Sequence, residues 1–276
     1  NVDANKQPSE VIRQTSHRDI YDRQIEMCGV SIVEVDSPED IADRVNERTV
    51  LMMAYNVYAP ESSIRHAQWL EIAAQHGIPT LLDAAADVPP VANLWQFCNM
   101  GYDLVVFSGG KAIRGPQSSG LLLGKREFIE AAKLNAVPNE GTVGRVAKVS
   151  KEDIVGLHKA LELFVGDGEH NGDRIASRCE RQLRLIADRI ATLDGVDTRF
   201  ITPLGANRFP HLLIEWNETV RSTPQAVAKM LRDGDPSIAT GRVYGTGSEG
   251  LLVSAVNLQP NEEHIVADRI AAILSR

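Results

Sequence analysis

Four short apolar runs, at residues 30–35, 49–55, 78–82 and 104–107, constrain the fold of this chain more than any other feature. Apolar runs of this length bounded by turn signals predict buried strands. Between them lie segments with helical patterning, at residues 19–29, 38–48, 64–76 and around 95–100. Strands alternating with helices predict an α/β fold, a mainly parallel sheet covered on both faces in a three-layer sandwich. Residues 1–16 are polar and mixed, and read as a loop or helix end. In parallel sheets ligands sit beyond the carboxyl ends of the strands. His17, Asn56, Asp83 and Ser108 all fall near predicted strand ends or in the loops beside them.

The second half has a different character. A helix over 128–135 leads into a glycine-containing connector at 138–148. The amphipathic segment 151–165 is preceded by Ser150, with Asp153 three residues on, the spacing of a capping box. A long helix over 171–193 carries an apolar stripe of Ile175, Cys179, Leu183, Ile186, Ile190 and Leu193 at steps of three and four. Strands at 196–201, 211–216, 237–240 and 250–256, with helices at 224–231 and 262–274, predict a smaller α+β domain. The expected division is a large domain over 1–165 and a small domain over 166–276.

Composition excludes several classes. The net charge of −8 argues against a nucleic-acid platform. No apolar stretch reaches the length of a membrane span, and no secretory signal opens the sequence. Cys28, Cys98 and Cys179 are far apart and form no metal spacing. The expected compartment is the cytoplasm, and no metal site is expected.

The densest chemistry lies in DLVVFSGGKAIRGPQSSGLLLGK, from Asp103 to Lys125. Two apolar runs bracket a glycine-rich loop whose single lysine is Lys111, beside Ser108, Gly109 and Gly110. The glycines would let backbone approach a ligand closely. A lysine held between buried strands is placed for desolvation, which suits an imine-forming amine. An exposed loop lysine is the plain alternative. A phosphate-binding P-loop fails, because Ala112 stands where a Ser or Thr would bind magnesium. Asp83 closes the strand before, followed by small residues in LLDAAADVPP. A carboxylate on one strand end and a lysine on the next suit a pyridoxal-phosphate site, the lysine forming the imine and the carboxylate holding the ring nitrogen protonated. A turn or helix-capping aspartate is the alternative for Asp83.

With SHRDIYD, LLDAAADVPP, the Asp103–Lys125 stretch and GRVAKVSKEDIVGL in place, the sequence resembles the fold-type I pyridoxal-phosphate enzymes. Within them it resembles the branch that groups bacterial selenocysteine synthase with D-glucosaminate-6-phosphate ammonia-lyase. LLDAAADVPP looks like the ammonia-lyase side, since selenocysteine synthases tend to carry a glycine- and serine-bearing segment after that aspartate. The resemblance runs from about His17 to the C-terminus. It places the main phosphate-binding helix before the stacking residue, so the sequence is expected to begin after that segment, with the front of the large domain missing.

The resemblance implies roles residue by residue. Lys111 would hold pyridoxal 5'-phosphate and shuttle the proton, Asp83 would pair with the pyridinium and Ser108 would bind the cofactor phosphate. His17 would stack on the ring and Asn56 would reach its hydroxyl. Arg114 and Arg242 would bind anionic substrate groups, and Gln117, with Ser118 and Ser119, would line the site. The implied activity is elimination of ammonia from a small anionic amino acid or amino-sugar acid, with D-glucosaminate 6-phosphate as the pattern. The alternatives are selenium transfer to seryl-tRNA, a racemase or transaminase on the same lysine, and a catalytically silent binding protein. A homodimer or larger homo-oligomer is implied as well.

Overall fold

The computed structural model describes residues 9–204, 206, 208–241 and 250–275. They cluster into two compact units, Asn1–Gly166 with Leu204–Asn207, and Asp167–Pro203 with Arg208–Arg276.

The first unit is built on six strands, β1 (Glu10–Gln14), β2 (Ser31–Val35), β3 (Thr49–Tyr55), β4 (Thr80–Asp83), β5 (Leu104–Ser108) and β6 (Gly120–Gly124), in the order β2-β1-β3-β4-β5-β6. The first five run parallel, and β6 returns antiparallel to β5. The mainly parallel α/β sandwich expected from the alternating pattern is therefore the observed fold. Helices α1 (Asp22–Glu26), α2 (Pro38–Arg44), α3 (His66–His76) and α4 (Asn93–Met100) fill the crossovers, and α5 (Arg126–Leu134) and α6 (Lys151–Val165) follow β6. Local chemistry sets their ends. Ser37 with Asp40, and Ser150 with Asp153, form complete capping boxes. Gly77 ends α3 at φ 67°, a left-handed position that favours glycine.

The strands alternate their side chains between two apolar clusters. Ile12, Met52, Leu82 and Val105, all fully buried, face the larger cluster with Ile41, Trp69 and Phe97 from the helices. Burying side chains of this size stabilises by roughly 1.5–3 kcal/mol each. Val11, Met53 and Tyr55 face a smaller cluster that includes Ile25 and Tyr58.

One expectation fails here. Residues 10–14, read as loop or helix end, form β1, which pairs with both β2 and β3. The strand hides because two of its buried residues are polar. Arg13 is 2% exposed and pairs with Asp22 and Glu34. The buried Gln14 amide accepts from Ile64 N at 2.8 Å and donates to Ile64 O at 2.9 Å. Paired in this way, polar side chains are tolerated inside, but they erase the apolar run that announces a buried strand.

The second unit holds the antiparallel sheet β7 (Val196–Ile201), β8 (His211–Trp216) and β9 (Leu251–Ser254). Helices α7 (Gly172–Ile190), α8 (Pro224–Arg232) and α9 (Glu262–Leu274) complete it. Ile175, Cys179, Leu183, Ile186 and Ile190 of the α7 stripe are buried. The strand expected at 237–240 is absent; only an isolated bridge joins Gly241 to Leu252. The chain there closes α8 instead, with Ile238 N donating to Leu231 O.

Gly124 carries a strong constraint on the β5–β6 pair. Its φ is 144°, and a β-carbon there would lie 2.0 Å from Asp103 O. Gly124→Ala is expected to cost about 2–3 kcal/mol through strain and displacement of β6. Urea unfolding would read this, and an unchanged midpoint would show that the strand end yields freely.

Candidate active site

The carboxyl edge of the parallel strands gathers the residues singled out from the sequence. His17 closes a 3-10 turn directly after β1, and Asn56 opens another directly after β3. Asp83 is the last residue of β4 and Ser108 the last of β5. These four strands are consecutive neighbours in the sheet. Lys111 lies three residues beyond Ser108, in the loop that joins β5 to β6.

That loop is braced from within. Gly109 N donates to Ser119 O, Gly115 N to Gly109 O and Arg114 N to Lys111 O, at 2.8–2.9 Å. The close packing of the loop requires glycine at two of its positions. A β-carbon at Gly109 would meet Ser119 Oγ at 2.3 Å, and one at Gly110 would meet Gln117 Cα at 2.7 Å. At the loop's apex Arg114 sits at φ 60°, a left-handed position that costs a non-glycine residue about 1–2 kcal/mol. Arg114, Gln117 and Ser118 are exposed, and Ser119 is buried.

Lys111 is exposed, so the enclosure expected from its two flanking strands is not supplied by this chain's described residues. Asp83 differs. Burial raises its pKa, against the opposing effects of the Ala85 N–H and the positive charge of Lys111, with Asp19 adding to the rise. One Asp83 oxygen accepts from Ala85 N at 2.9 Å. Among the described residues its other oxygen, the Ser108 hydroxyl and the Lys111 amine have no hydrogen bond. Three uncommitted groups, an acceptor, a hydroxyl and an amine, thus stand at the ends of neighbouring strands.

His17 and Asn56 are committed. The His17 ring is 1% exposed. Its Nδ1 accepts from Tyr55 N at 3.1 Å, so the proton sits on Nε2, 2.6 Å from Ser62 Oγ. The Ser62 hydroxyl donates onward to Tyr58 O at 3.3 Å. Burial first, then the charges of Arg13 and His66, hold the His17 pKa down at about 4. The imidazole is neutral, and the nearest ring is Tyr58, with centroids 6.0 Å apart. Asn56 Nδ2 donates to Asp87 Oδ1 at 2.6 Å, and Asn93 holds the Asp87 backbone carbonyl. Arg242 lies outside the described residues.

Ser62, Tyr55, Tyr58 and Asp87 have no role in the reading from sequence. Tyr58 donates to Asp19 and Tyr55 to Asp22, which also pairs with Arg13. The Asp19 bond is the main cause that raises the Tyr58 pKa to about 12. Asp19, Asp22 and Asp87 stood inside SHRDIYD and LLDAAADVPP, but no periodicity marked Ser62 or Tyr58.

Residues 23–207 match the family described as SelA: L-seryl-tRNA selenium transferase. The chain belongs to this family. Pyridoxal phosphate is the cofactor of SelA-type enzymes, and the uncommitted Asp83 oxygen, Ser108 hydroxyl and Lys111 amine suit its ring nitrogen, phosphate and aldehyde. Among curated relatives, 5'-C-glycyluridine monooxygenase-decarboxylase from a Streptomyces species is 26% identical over 99% of this chain and 68% of its own length. D-glucosaminate-6-phosphate ammonia lyase from Salmonella typhimurium is 27% identical over 62% of this chain, which spans 44% of that protein. An L-seryl-tRNA(Sec) selenium transferase from Photorhabdus laumondii is 28% identical over 59% of this chain and 39% of its own length. Among solved structures, D-glucosaminate-6-phosphate ammonia-lyase superposes with a TM-score of 0.76 over 98% of this SelA-family chain and 72% of its own, at 22% identity. At that identity the likeness shows the fold. No helix among the described residues is long and apolar enough to cross a membrane.

Proposed function

We propose that this chain carries the reacting end of a pyridoxal-phosphate lyase that releases ammonia from a hydroxylated amino acid or amino-sugar acid. The observation that carries the reading is the trio of uncommitted groups at two adjacent strand ends and the loop that follows them. When bound, the cofactor supplies an electron sink for the charge left on the carbon that loses its proton. Lys111 holds the cofactor by its amine, and afterwards moves the proton of the amine-bearing carbon at Nζ. Asp83, left with one acceptor oxygen free among the described residues, keeps the ring nitrogen protonated. Ser108 donates its hydroxyl to the cofactor phosphate. His17, buried and held neutral, takes no part in proton transfer. Asn56 is oriented by Asp87 toward the ring hydroxyl. Arg114 and Gln117, on the exposed loop, meet the substrate's anionic end.

A substrate related to D-glucosaminate 6-phosphate is supported by the LLDAAADVPP segment and by the ammonia-lyase fold match over nearly the whole chain. Loss of the β-hydroxyl as water, then hydration and loss of the amine, converts an amino acid to a keto acid and ammonia. Selenium transfer to seryl-tRNA is the second reading, favoured by the family's own description. The decarboxylase relative, aligned along nearly the entire chain, makes carbon dioxide release a third readout to follow. The exposure of Lys111 supports a homo-oligomer in which a second copy closes the site.

The test uses the full-length protein with added pyridoxal phosphate. D-glucosaminate 6-phosphate and its unphosphorylated form are supplied, and ammonia and keto acid are measured. Stoichiometric ammonia and keto acid, faster with the phosphorylated substrate, is expected. No ammonia from either, with selenium transfer to seryl-tRNA or carbon dioxide release in its place, would overturn the lyase reading.

A further inference from the structure

The loop that carries Lys111 rests on one helix. A β-carbon at Gly109 would lie 2.7 Å from Leu157 Cδ1, and one at Gly115 would lie 3.2 Å from the same atom. Leu157 is therefore packed directly under the loop's two crossing points. One residue earlier in α6, Gly156 leaves room for Pro116: a β-carbon there would lie 2.8 Å from Pro116 Cγ and 3.2 Å from Cδ. A third contact comes from the first turn, where the Asp153 carboxylate, held chiefly by its capping bonds to Ser150, also takes a bond from Ser118.

We propose that the first two turns of α6 position Lys111, with Gly156 and Leu157 as positioning residues for its amine. The inference rests on the reading of Lys111 as the cofactor-holding amine. A short chain of contacts carries the effect. Pro116 O accepts both Ser119 N at 3.1 Å and Ser119 Oγ at 2.6 Å. Ser119 O in turn accepts from Gly109 N at 2.9 Å, two residues before Lys111. A push on Pro116 from the helix therefore passes through Ser119 to the residue that sets where the lysine emerges. The apex itself, at Lys111 and Arg114, is exposed. A glycine in the second turn of a helix is unfavourable by propensity alone. At residue 156 it is explained by the proline ring seated against it.

Two variants of the full chain separate positioning from general stability. Gly156→Ala improves helix propensity while crowding Pro116. Leu157→Ala removes the floor under Gly109 and Gly115. Amide hydrogen exchange without cofactor is followed at Gly109, Arg114, Gly115 and Ser119, alongside the core amides of β4. Binding of pyridoxal phosphate is followed by absorbance and by borohydride-stable labelling of Lys111. Both variants are expected to exchange about ten-fold faster at the four loop amides with β4 unchanged, and to bind the cofactor about ten-fold more weakly. Gly156→Ala carries the test if Leu157→Ala does not fold. Loop exchange and cofactor affinity at wild-type levels in Gly156→Ala would overturn the proposal. The functional reading beneath it is judged separately, on the wild type: absence of any borohydride-stable label at Lys111 there removes that reading whatever the variants do.

Discussion

Lys111→Ala is expected to abolish borohydride-stable capture of pyridoxal phosphate and to lower ammonia release by about 10³-fold or more, the range for loss of a group that holds and moves the reacting proton. Folding is expected to be untouched. The lysine is exposed and its amine makes no hydrogen bond among the described residues, and surface substitutions of that kind usually fall within about 0.5 kcal/mol of neutral. The prediction therefore separates chemistry from stability at a single position. Asp83→Asn is the informative companion. The asparagine retains an oxygen for the Ala85 N–H, now received at 2.9 Å by the carboxylate, but it carries no charge for the ring nitrogen. Cofactor capture at Lys111 should survive in Asp83→Asn while turnover falls. Wild-type turnover in Lys111→Ala would remove the lysine from the mechanism, and equal turnover in Asp83→Asn would remove the carboxylate.

The contrast between these two residues shows what was legible in the sequence. The edge position of Asp83, and of Ser108 three residues before Lys111, was legible because an apolar run stops and the next polar residue stands at the edge of the sheet. Helix α6 was equally plain, since Ser150 caps it by local chemistry that needs no knowledge of the fold. The environment of the lysine was not legible. Burial is a property of what packs around a loop, and two flanking strands do not enclose an apex that rises beyond them. Nor was β1 legible, because Arg13 and Gln14 become acceptable inside only through Asp22, Glu34 and Ile64, whose proximity exists only in the folded chain. The His17 relay is of the same kind. It joins residues 38 and 45 positions apart, Tyr55 and Ser62, and no window along the sequence contains it.

That relay makes a second large prediction, a loss of stability in acid centred on one residue. His17 is neutral when folded because burial first, then the charges of Arg13 and His66, disfavour its protonated form, and Nδ1 already accepts from Tyr55 N. Its folded pKa of about 4 lies below the ordinary 6.5. Between these values the unfolded chain binds the proton and the folded chain does not, so stability falls as pH drops from about 6.5 toward 4. At about 1.36 kcal/mol per pH unit the whole window is worth about 3 kcal/mol. His66 and His211, whose pKa values burial also lowers, add to the same limb, so the His17 share must be isolated by difference. His17→Asn supplies an oxygen near Nδ1 for the Tyr55 N–H and removes the titration. Urea unfolding of both proteins from neutral pH down to about pH 4.5 is expected to show a lower stability for the variant at neutral pH and a shallower decline in acid. Parallel declines would show that His17 is not the titrating group. A shallower decline would mean that acid acts on the site from below. Protonating His17 breaks the bond to Tyr55, the residue that pairs in register with Asp83 across β3 and β4. Cofactor binding would then weaken over the same pH range as the fold.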